Sequence, residues 1–430
     1  MRGRRSGALL AVAMLAFGWT GAPSAGGTVL SAGGAAGGTA PEEASATAGG
    51  GGSPAATGSA DGAVPRLNAR AWALIDARTG DVLVSHAGAR QLPVASTTKL
   101  MTAYVAMKEL PLGRIVRAAP YSPIYGESLL GLRAGQRISV RDLLYGLILR
   151  SGNDAAYDLA LAAAGSEPRF VRQMNLRAAA LGLPNTHYSN PIGLDQAGNY
   201  SSALDLATLT RRLLRIPAFA RIAAARRARL SSLRPPRRIS TINELLGMAP
   251  WITGVKTGHT FGAGYVLVGS GRRRGVELIS VAVGAPSDED RYRDNLELLD
   301  YGFSLYRPRT PIRSGEELAA ASIRYSGGEL ALRAPRTIAV GVRPDQRLSV
   351  SVSAPAEVEG PIRRGARLGS ATVFVDGLAA ASTPLRAGRG VPEASAFDRA
   401  RSFAADNALA LALAAFVILI GAAVLRRFSR

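Results

Sequence analysis

The chain has 430 residues, a formal net charge of +21 and no cysteine. That length is enough for two domains with additional segments, and the basic excess favours an anionic partner such as nucleic acid or a cell-surface polymer. The absence of cysteine excludes disulfides, thiolate metal sites and a cysteine nucleophile, and three histidines are too few for most histidine-based metal sites. We therefore expect neither a metal nor a cofactor.

The first 25 residues have the pattern of a secretory signal. Residues 2–5 are rich in arginine, residues 8–17 form a short apolar run, and small residues follow. The apolar run is too short to span a bilayer, although an uncleaved anchor is the alternative. Residues 26–65 contain mostly Gly, Ala, Ser and Thr and predict a flexible linker. Export excludes nucleic acid as the partner.

Residues 66–309 carry strand patterns at both ends and helix patterns between them. Residues 72–75 and 82–84 predict a β-hairpin. Ser-x-x-Asp patterns at Ser139 and Ser202 predict capping boxes of two helices. Three apolar strand patterns follow, at residues 251–255, 265–268 and 276–283, before a helix that begins at Ser287. This order predicts an α/β (α+β) domain with one antiparallel sheet made from both chain ends and flanked by helices.

Ser96 and Lys99 lie within that domain in a Ser-x-x-Lys pattern, followed by an apolar run. On a helix the two side chains share a face one turn apart. A serine hydroxyl is a poor nucleophile alone and needs an adjacent base, which Lys99 can provide. By itself the pattern also fits an N-capping serine followed by a solvated lysine.

Two further motifs combine polar groups that a substrate can use. Ser151 and Asn153 lie in a Ser-Gly-Asn loop between two predicted helices, which can present a hydroxyl and an amide together. At the end of a predicted strand, Lys256 and Thr257 offer a cation and a hydroxyl to a substrate carboxylate. The following Gly258 permits close approach of a substrate backbone. Alone, these motifs also fit a helix cap and an ordinary strand end.

The three motifs in this order are the motif set of penicillin-binding proteins and serine β-lactamases. Residues 66 to about 307 resemble the D-alanyl-D-alanine carboxypeptidases, the low-molecular-weight penicillin-binding proteins of peptidase family S11. Other segments that carry the resemblance are residues 71–80, 142–146, 154–156, 190–195, 243–246 and 260–264. The resemblance implies the serine β-lactamase/DD-peptidase-like fold, peptidoglycan pentapeptide stems as substrates and β-lactams as inhibitors.

The resemblance also implies roles for the motif residues. Ser96 would attack the penultimate D-Ala of a stem peptide and release the terminal D-Ala, with Lys99 as the base. Ser151 would relay a proton to the leaving amine, and Asn153 would hold the substrate amide and Lys99.

The third motif would bind the other end of the substrate. Lys256 and Thr257 would hold the terminal carboxylate, with Gly258 beside the substrate backbone. The backbone N–H groups of Ser96 and His259 would form the oxyanion hole, while the side chain of His259 is interpreted as structural.

The remainder of the chain predicts a second domain and an anchor. Residues 310–385 alternate short β-type runs with Gly and Pro, and they resemble the small β domain that follows the catalytic domain in many members of the family. Residues 386–406 predict a linker. The uncharged run within residues 407–425 predicts a transmembrane helix, and arginines at 426–430 place the tail in the cytoplasm. We therefore expect a single-pass cell-membrane protein, monomeric, with its catalytic domain outside the cytoplasm.

Rival functions share much of this pattern. A β-lactamase usually needs an extra Glu for rapid deacylation, and Glu167 lies in no matching pattern. A DD-endopeptidase or transpeptidase differs only in which amine leaves or attacks. A non-catalytic wall-binding protein would retain the fold but would not need all three motifs.

Overall fold

The computed structural model describes residues 63–428. The predicted signal sequence and residues 26–62 of the predicted linker lie outside the described residues. Two strands open the first domain, β1 (Ala71–Asp76) and β2 (Val82–His86). The remaining strands of this domain are β3 (Ile115–Arg117), β4 (Arg137–Ser139), β5 (Arg227–Leu230), β6 (Arg237–Ser240), β7 (Ile252–Thr260), β8 (Gly264–Arg273) and β9 (Val276–Ala285).

Eight α-helices belong to the same part of the described chain. A 3₁₀ turn at Ala95–Thr98 leads directly into α1 (Lys99–Glu109). The others are α2 (Val140–Leu149), α3 (Asn153–Ala164), α4 (Glu167–Ala180), α5 (Ala203–Leu214), α6 (Pro217–Ala223), α7 (Leu245–Met248) and α8 (Asp288–Ser304).

The main sheet has the strand order β2-β1-β9-β8-β7, and every pairing in it is antiparallel. The predicted sheet built from both ends of the domain is therefore confirmed. Successive strand side chains point to opposite faces. Trp72 and Leu74 of β1 belong to the apolar cluster formed with α8, whereas Ala73 and Ile75 belong to the larger core formed with the central helices. Burial on both faces explains why β1 is apolar at nearly every position.

The predicted N-caps of α2 and α5 are confirmed, but the reciprocal half of each capping box is not formed. Ser139 Oγ accepts from the backbone N–H of Asp142, and Ser202 Oγ from that of Asp205. The two carboxylates bind elsewhere: that of Asp142 accepts from the N–H and hydroxyl of Ser232, and that of Asp205 accepts from the Asn185 N–H and the Thr186 hydroxyl. These long-range bonds join each helix start to a distant loop.

A second, β-rich region follows α8, as the sequence pattern predicts. Six of its strands form one sheet, and β10 and β13 form a separate pair. Its strands are β10 (Arg307–Ile312), β11 (Glu317–Ile323), β12 (Gly328–Arg333), β13 (Ile338–Val342), β14 (Leu348–Ser353), β15 (Glu357–Val358), β16 (Arg367–Val375) and β17 (Leu378–Ala387).

Within residues 386–406, which the sequence predicts as a linker, the second half forms helix α9 (Ala396–Asp406). Ser395 and Asp398 form a complete capping box at its start. Helix α10 (Ala408–Phe428) follows after Asn407. Within residues 63–428, no single helix satisfies the length and hydropathy criteria for a membrane span. Residues Ala396–Asp406 and Ala408–Ala423 satisfy them only as a pair, bent by 78° at the break.

Candidate active site

Ser96 and Lys99 lie at the junction between the 3₁₀ turn and α1. Ala95, which has a positive φ of 48°, turns the chain into this junction. Lys99 Nζ lies 2.8 Å from Ser96 Oγ, so the predicted pairing of amine and hydroxyl is present. Ser96 is half-buried, whereas Lys99 is completely buried. The amine is therefore shielded from water while the hydroxyl stays accessible.

The loop that contains Pro191 and Ile192 supplies a third partner to this pair. Lys99 Nζ donates to the carbonyl oxygen of Ile192 at 2.5 Å. Asn190 shapes the loop, because its Oδ1 accepts from the backbone N–H groups of Ile192, Gly193 and Leu194. A Cβ at Gly193 would collide with the carbonyl of Ala95. Gly193 therefore lets the loop approach the 3₁₀ turn at Ala95–Thr98, which we call the Ser96 turn.

Burial lowers the pKa of Lys99 to about 7, although the carboxylates of Glu127 and Asp154 act in the opposite direction. A buried ammonium loses its hydration, which favours the neutral amine. In its neutral form Lys99 can donate one N–H to Ile192 O and accept the proton of the Ser96 hydroxyl with its lone pair. The geometry therefore suits Lys99 to general-base chemistry near neutral pH.

Ser151 and Lys256 form a second hydroxyl–amine pair. Ser151 lies between α2 and α3 with a positive φ of 56°. Its Oγ accepts from Lys256 Nζ at 3.0 Å, and the same ammonium donates to Thr257 O at 2.7 Å. Burial, and then the charges of Lys99 and Arg291, hold the pKa of Lys256 well below its usual value. A negative group of the substrate would therefore relieve an unfavourable concentration of positive charge.

Lys256, Thr257, Gly258 and His259 lie inside β7, which continues to Thr260 rather than ending at the motif. β7 runs beside the Ser96 turn, since a Cβ at Gly258 would lie 3.0 Å from the backbone nitrogen of Ser96. The backbones of the first and third motifs are thus adjacent, as an oxyanion hole formed by both would require.

The side chain of His259 is exposed, and its ring stacks on Tyr265 with centroids 4.1 Å apart. Behind the motif, Arg291 Nη1 donates to Gly258 O at 3.1 Å. Arg291 is buried, forms an ion pair with Asp288, and packs its guanidinium over the rings of Tyr265 and Tyr292. The buried guanidinium of Arg291 therefore supports β7 at Gly258.

Asn153 begins α3, and its side chain has a partner that the sequence did not predict. Asn153 Nδ2 donates to Glu127 Oε2 at 2.7 Å. Within the described residues no hydrogen bond joins Asn153 to Lys99, although the family resemblance implies one. Glu127, Arg291 and the carbonyl of Ile192 are the site groups that the sequence reasoning missed. Among residues 63–428, no cluster of His, Asp and Glu side chains could hold a metal ion.

Known proteins are similar in sequence to most of this chain. Residues 58–287 match the family model described as D-alanyl-D-alanine carboxypeptidase. The chain is 32% identical over 357 residues to the D-alanyl-D-alanine carboxypeptidase DacC of Escherichia coli, covering 79% of this chain and 88% of that one. It is 30% identical over 329 residues to DacF of Bacillus subtilis, covering 74% and 85%.

Solved structures are similar over the same regions. The D-alanyl-D-alanine carboxypeptidase DacD from Francisella tularensis has a TM-score of 0.55 at 26% identity, covering 77% of this chain and 95% of that one. A variant of the Streptomyces K15 DD-transpeptidase has a TM-score of 0.53 at 30% identity and covers 56% of this chain and 100% of that one.

Proposed function

Because this chain belongs to peptidase family S11 and is a serine-type D-Ala-D-Ala carboxypeptidase, we propose that Ser96 is its nucleophile and Lys99 its general base. The substrates are peptidoglycan stem peptides, and β-lactams bind at the same site, as is typical of the penicillin-binding proteins. The observation that carries the residue assignment is the contact of Lys99 Nζ with Ser96 Oγ at 2.8 Å in a buried position.

The acylation step follows from these contacts. As Ser96 Oγ bonds to the carbonyl carbon of the penultimate D-Ala, its proton passes to neutral Lys99. The C–N bond then breaks, and the leaving amine of the terminal D-Ala takes up, through the Ser151 hydroxyl, the proton that Lys99 received from Ser96. Water hydrolyses the acyl-enzyme and regenerates the Ser96 hydroxyl. Asn153 has a second N–H on Nδ2, which we assign to the carbonyl of the substrate peptide.

The third motif holds the substrate in place. The buried charge of Lys256 and the hydroxyl of Thr257 attract the terminal carboxylate, and Gly258 leaves room for the substrate backbone. The backbone N–H groups of Ser96 and His259 stabilise the developing oxyanion. The hydrogen bond from Arg291 to Gly258 O supports the position of this strand.

The experiment compares the full-length protein with Ser96→Ala. Each is incubated with a peptide ending in D-Ala-D-Ala and, separately, with a fluorescent penicillin. We expect release of free D-Ala and covalent labelling by the wild type only. The assignment of Ser96 is wrong if Ser96→Ala is labelled as strongly as the wild type.

A DD-transpeptidase or endopeptidase activity is the second candidate, favoured by the similarity to the Streptomyces K15 DD-transpeptidase. The acyl-enzyme is common to all three reactions, and only the amine that leaves or attacks differs. Labelling by penicillin without release of D-Ala from the simple peptide would support this alternative.

We also propose that the enzyme is exported and held at the cell membrane by its C-terminal segment. The support is compositional: α10 carries an uncharged apolar run from Ala408 to Leu425, and arginines follow at 426, 427 and 430. The apolar side chains described in this helix are exposed, among them Leu409, Phe416 and Ile418. We expect the full chain to sediment with membranes and a chain ending at residue 407 to remain in the supernatant; equal distribution would contradict the anchor.

A further inference from the structure

The loop of residues 121–132 brings an acidic side chain to the catalytic motifs. Its position is fixed by α3, because Asp154 accepts from the backbone N–H groups of Leu130, Gly131 and Leu132 at 2.7–3.0 Å. In addition, the backbone N–H of Asn153 donates to Ser128 O at 2.8 Å. The loop is therefore tied to the same helix start that carries the second catalytic motif.

Glu127 is the residue of this loop that contacts a motif side chain. Its Oε2 accepts from Asn153 Nδ2 at 2.7 Å and from the Tyr121 hydroxyl at 2.5 Å, and its Oε1 accepts from the backbone N–H of Ile124 at 3.0 Å. Partial burial raises the pKa of this carboxyl, but the bonds from Tyr121 and Asn153 and the charge of Lys99 lower it overall. Glu127 is therefore an anion at neutral pH.

We propose that Glu127 is a positioning residue for the reaction, which fixes the amide of Asn153 in one orientation and whose negative charge acts on Lys99. The proposal rests on the roles assigned to Lys99 and Asn153 above. An ionised carboxylate only accepts hydrogen bonds, so it selects the orientation in which Nδ2 of Asn153 faces Glu127. That orientation leaves the second N–H on Nδ2 and the oxygen Oδ1 for other partners. Without Glu127, the amide is free to rotate by half a turn and to exchange its donor for its acceptor.

The charge of Glu127 has a second consequence, which a merely structural residue would not have. The charges of Glu127 in the loop and of Asp154 in α3 raise the pKa of Lys99, and the charge of Lys99 lowers the pKa of Lys256 in β7. Glu127 and Asp154 favour protonated Lys99, which is the inactive form of a general base. The carboxylate of Asp154 already accepts hydrogen bonds from four backbone N–H groups, so Glu127 is the acid whose replacement leaves those backbone contacts intact.

The test compares Glu127→Gln and Glu127→Ala with the wild type as full-length proteins. Gln keeps an acceptor for Asn153 and removes the charge, whereas Ala removes both. We expect the acid limb of the pH profile for acylation by a fluorescent penicillin to move to lower pH in both variants, because Lys99 remains neutral further into the acid range. At the high-pH plateau we expect kcat/KM for a D-Ala-D-Ala peptide to fall about tenfold to a hundredfold in Glu127→Ala and less in Glu127→Gln.

Glu109→Gln is the matched control, since it removes one acidic charge from an ion pair with Arg177 that lies at the surface. We expect its acid limb to coincide with that of the wild type. The proposal is overturned if the limb and the plateau of the Glu127 variants match the wild type, or if only their thermal midpoint falls. An inactive and unlabelled wild type would instead overturn the proposed function itself, so the two failures are distinguishable.

Discussion

Lys99 is the side chain whose ionisation controls the reaction in the proposed mechanism. Its amine contacts Ser96 Oγ and the Ile192 carbonyl oxygen in a position without solvent exposure. A surface lysine would be protonated at neutral pH and could not remove a proton. Burial therefore favours the neutral amine that a general base requires, and the sequence motif alone does not show this burial.

The activity should depend on pH in the direction that this burial sets. Below pH 7 Lys99 binds a proton, and above it the amine is neutral, since its pKa lies at about 7. We expect the rate of acylation by a fluorescent penicillin to rise with pH through about 7 and then level off. Lys99→Arg should lose acylation throughout the range, because guanidinium stays protonated. A wild-type rate that is constant from pH 5 to 9 would contradict Lys99 as the base.

β7 and the Ser96 turn illustrate how neighbouring segments share one candidate site. Gly258 has no side chain at the point where the strand passes the backbone of Ser96 and Thr97, and a Cβ there would lie 3.0 and 3.2 Å from their nitrogen atoms. Such distances require the neighbouring backbone to shift by a few tenths of an ångström. The absence of a side chain at Gly258 therefore allows the backbone of the third motif to lie this close to that of the first.

Gly258→Ala tests this dependence between the two backbones. We expect the rate of acylation to fall about tenfold or more, because small displacements of reacting groups are costly to catalysis, while the thermal midpoint changes little. Gly328→Ala is the control, since a Cβ at that position in β12 meets only ordinary van der Waals neighbours. Acylation at the wild-type rate in Gly258→Ala would show that the strand and the turn move independently.

Much of this architecture was predictable because local patterns coincide with tertiary structure. The strands of the main sheet and the helix starts at Ser139 and Ser202 were predictable from apolar runs and capping residues. The side chains proposed as catalytic were identifiable as candidates because they belong to short motifs. The predicted hydrogen bonds from the N-cap backbone to the Asp142 and Asp205 side chains were wrong. These carboxylates accept hydrogen bonds from distant loops instead.

The missed site groups share a different property. Glu127 lies in an irregular loop 26 positions from Asn153, and no local pattern links the two. The carbonyl of Ile192 belongs to the backbone, so no residue type identifies it. Arg291 directly follows the acidic first turn of α8, where its sequence context is the same as that of a solvent-exposed arginine. Their roles depend on contacts between segments that are far apart in the sequence, and no local sequence pattern predicts such contacts.

A buried charge cluster joins the catalytic domain to the β domain. Arg343 of the β domain donates to Asp81 at 2.8 Å and lies 3.7 Å from the carboxylate of Asp76 at the end of β1. Tyr306 donates to the same Asp76 carboxylate at 2.6 Å and accepts from Arg343 at 3.2 Å. Arg78 adds a hydrogen bond to Val375 O at 3.1 Å. These contacts give the two domains a defined relative position.

Arg343→Ala should therefore lower the free energy of unfolding of the protein without changing the rate of acylation. Removing the guanidinium leaves Asp76, whose side chain is 4% exposed, without its cation. Breaking a buried ion pair typically costs about 3–5 kcal/mol. The other partner, Asp81, is half-exposed and can be solvated by water, which reduces the loss. We therefore expect the free energy of unfolding, measured in denaturant, to fall by about 2–3 kcal/mol. Arg347→Ala, at an exposed position nearby, should change it by less than about 0.5 kcal/mol. Equal stability of the two variants would show that the cluster does not hold the domains together, whereas a loss of acylation in folded Arg343→Ala would show that the β domain also shapes the active site.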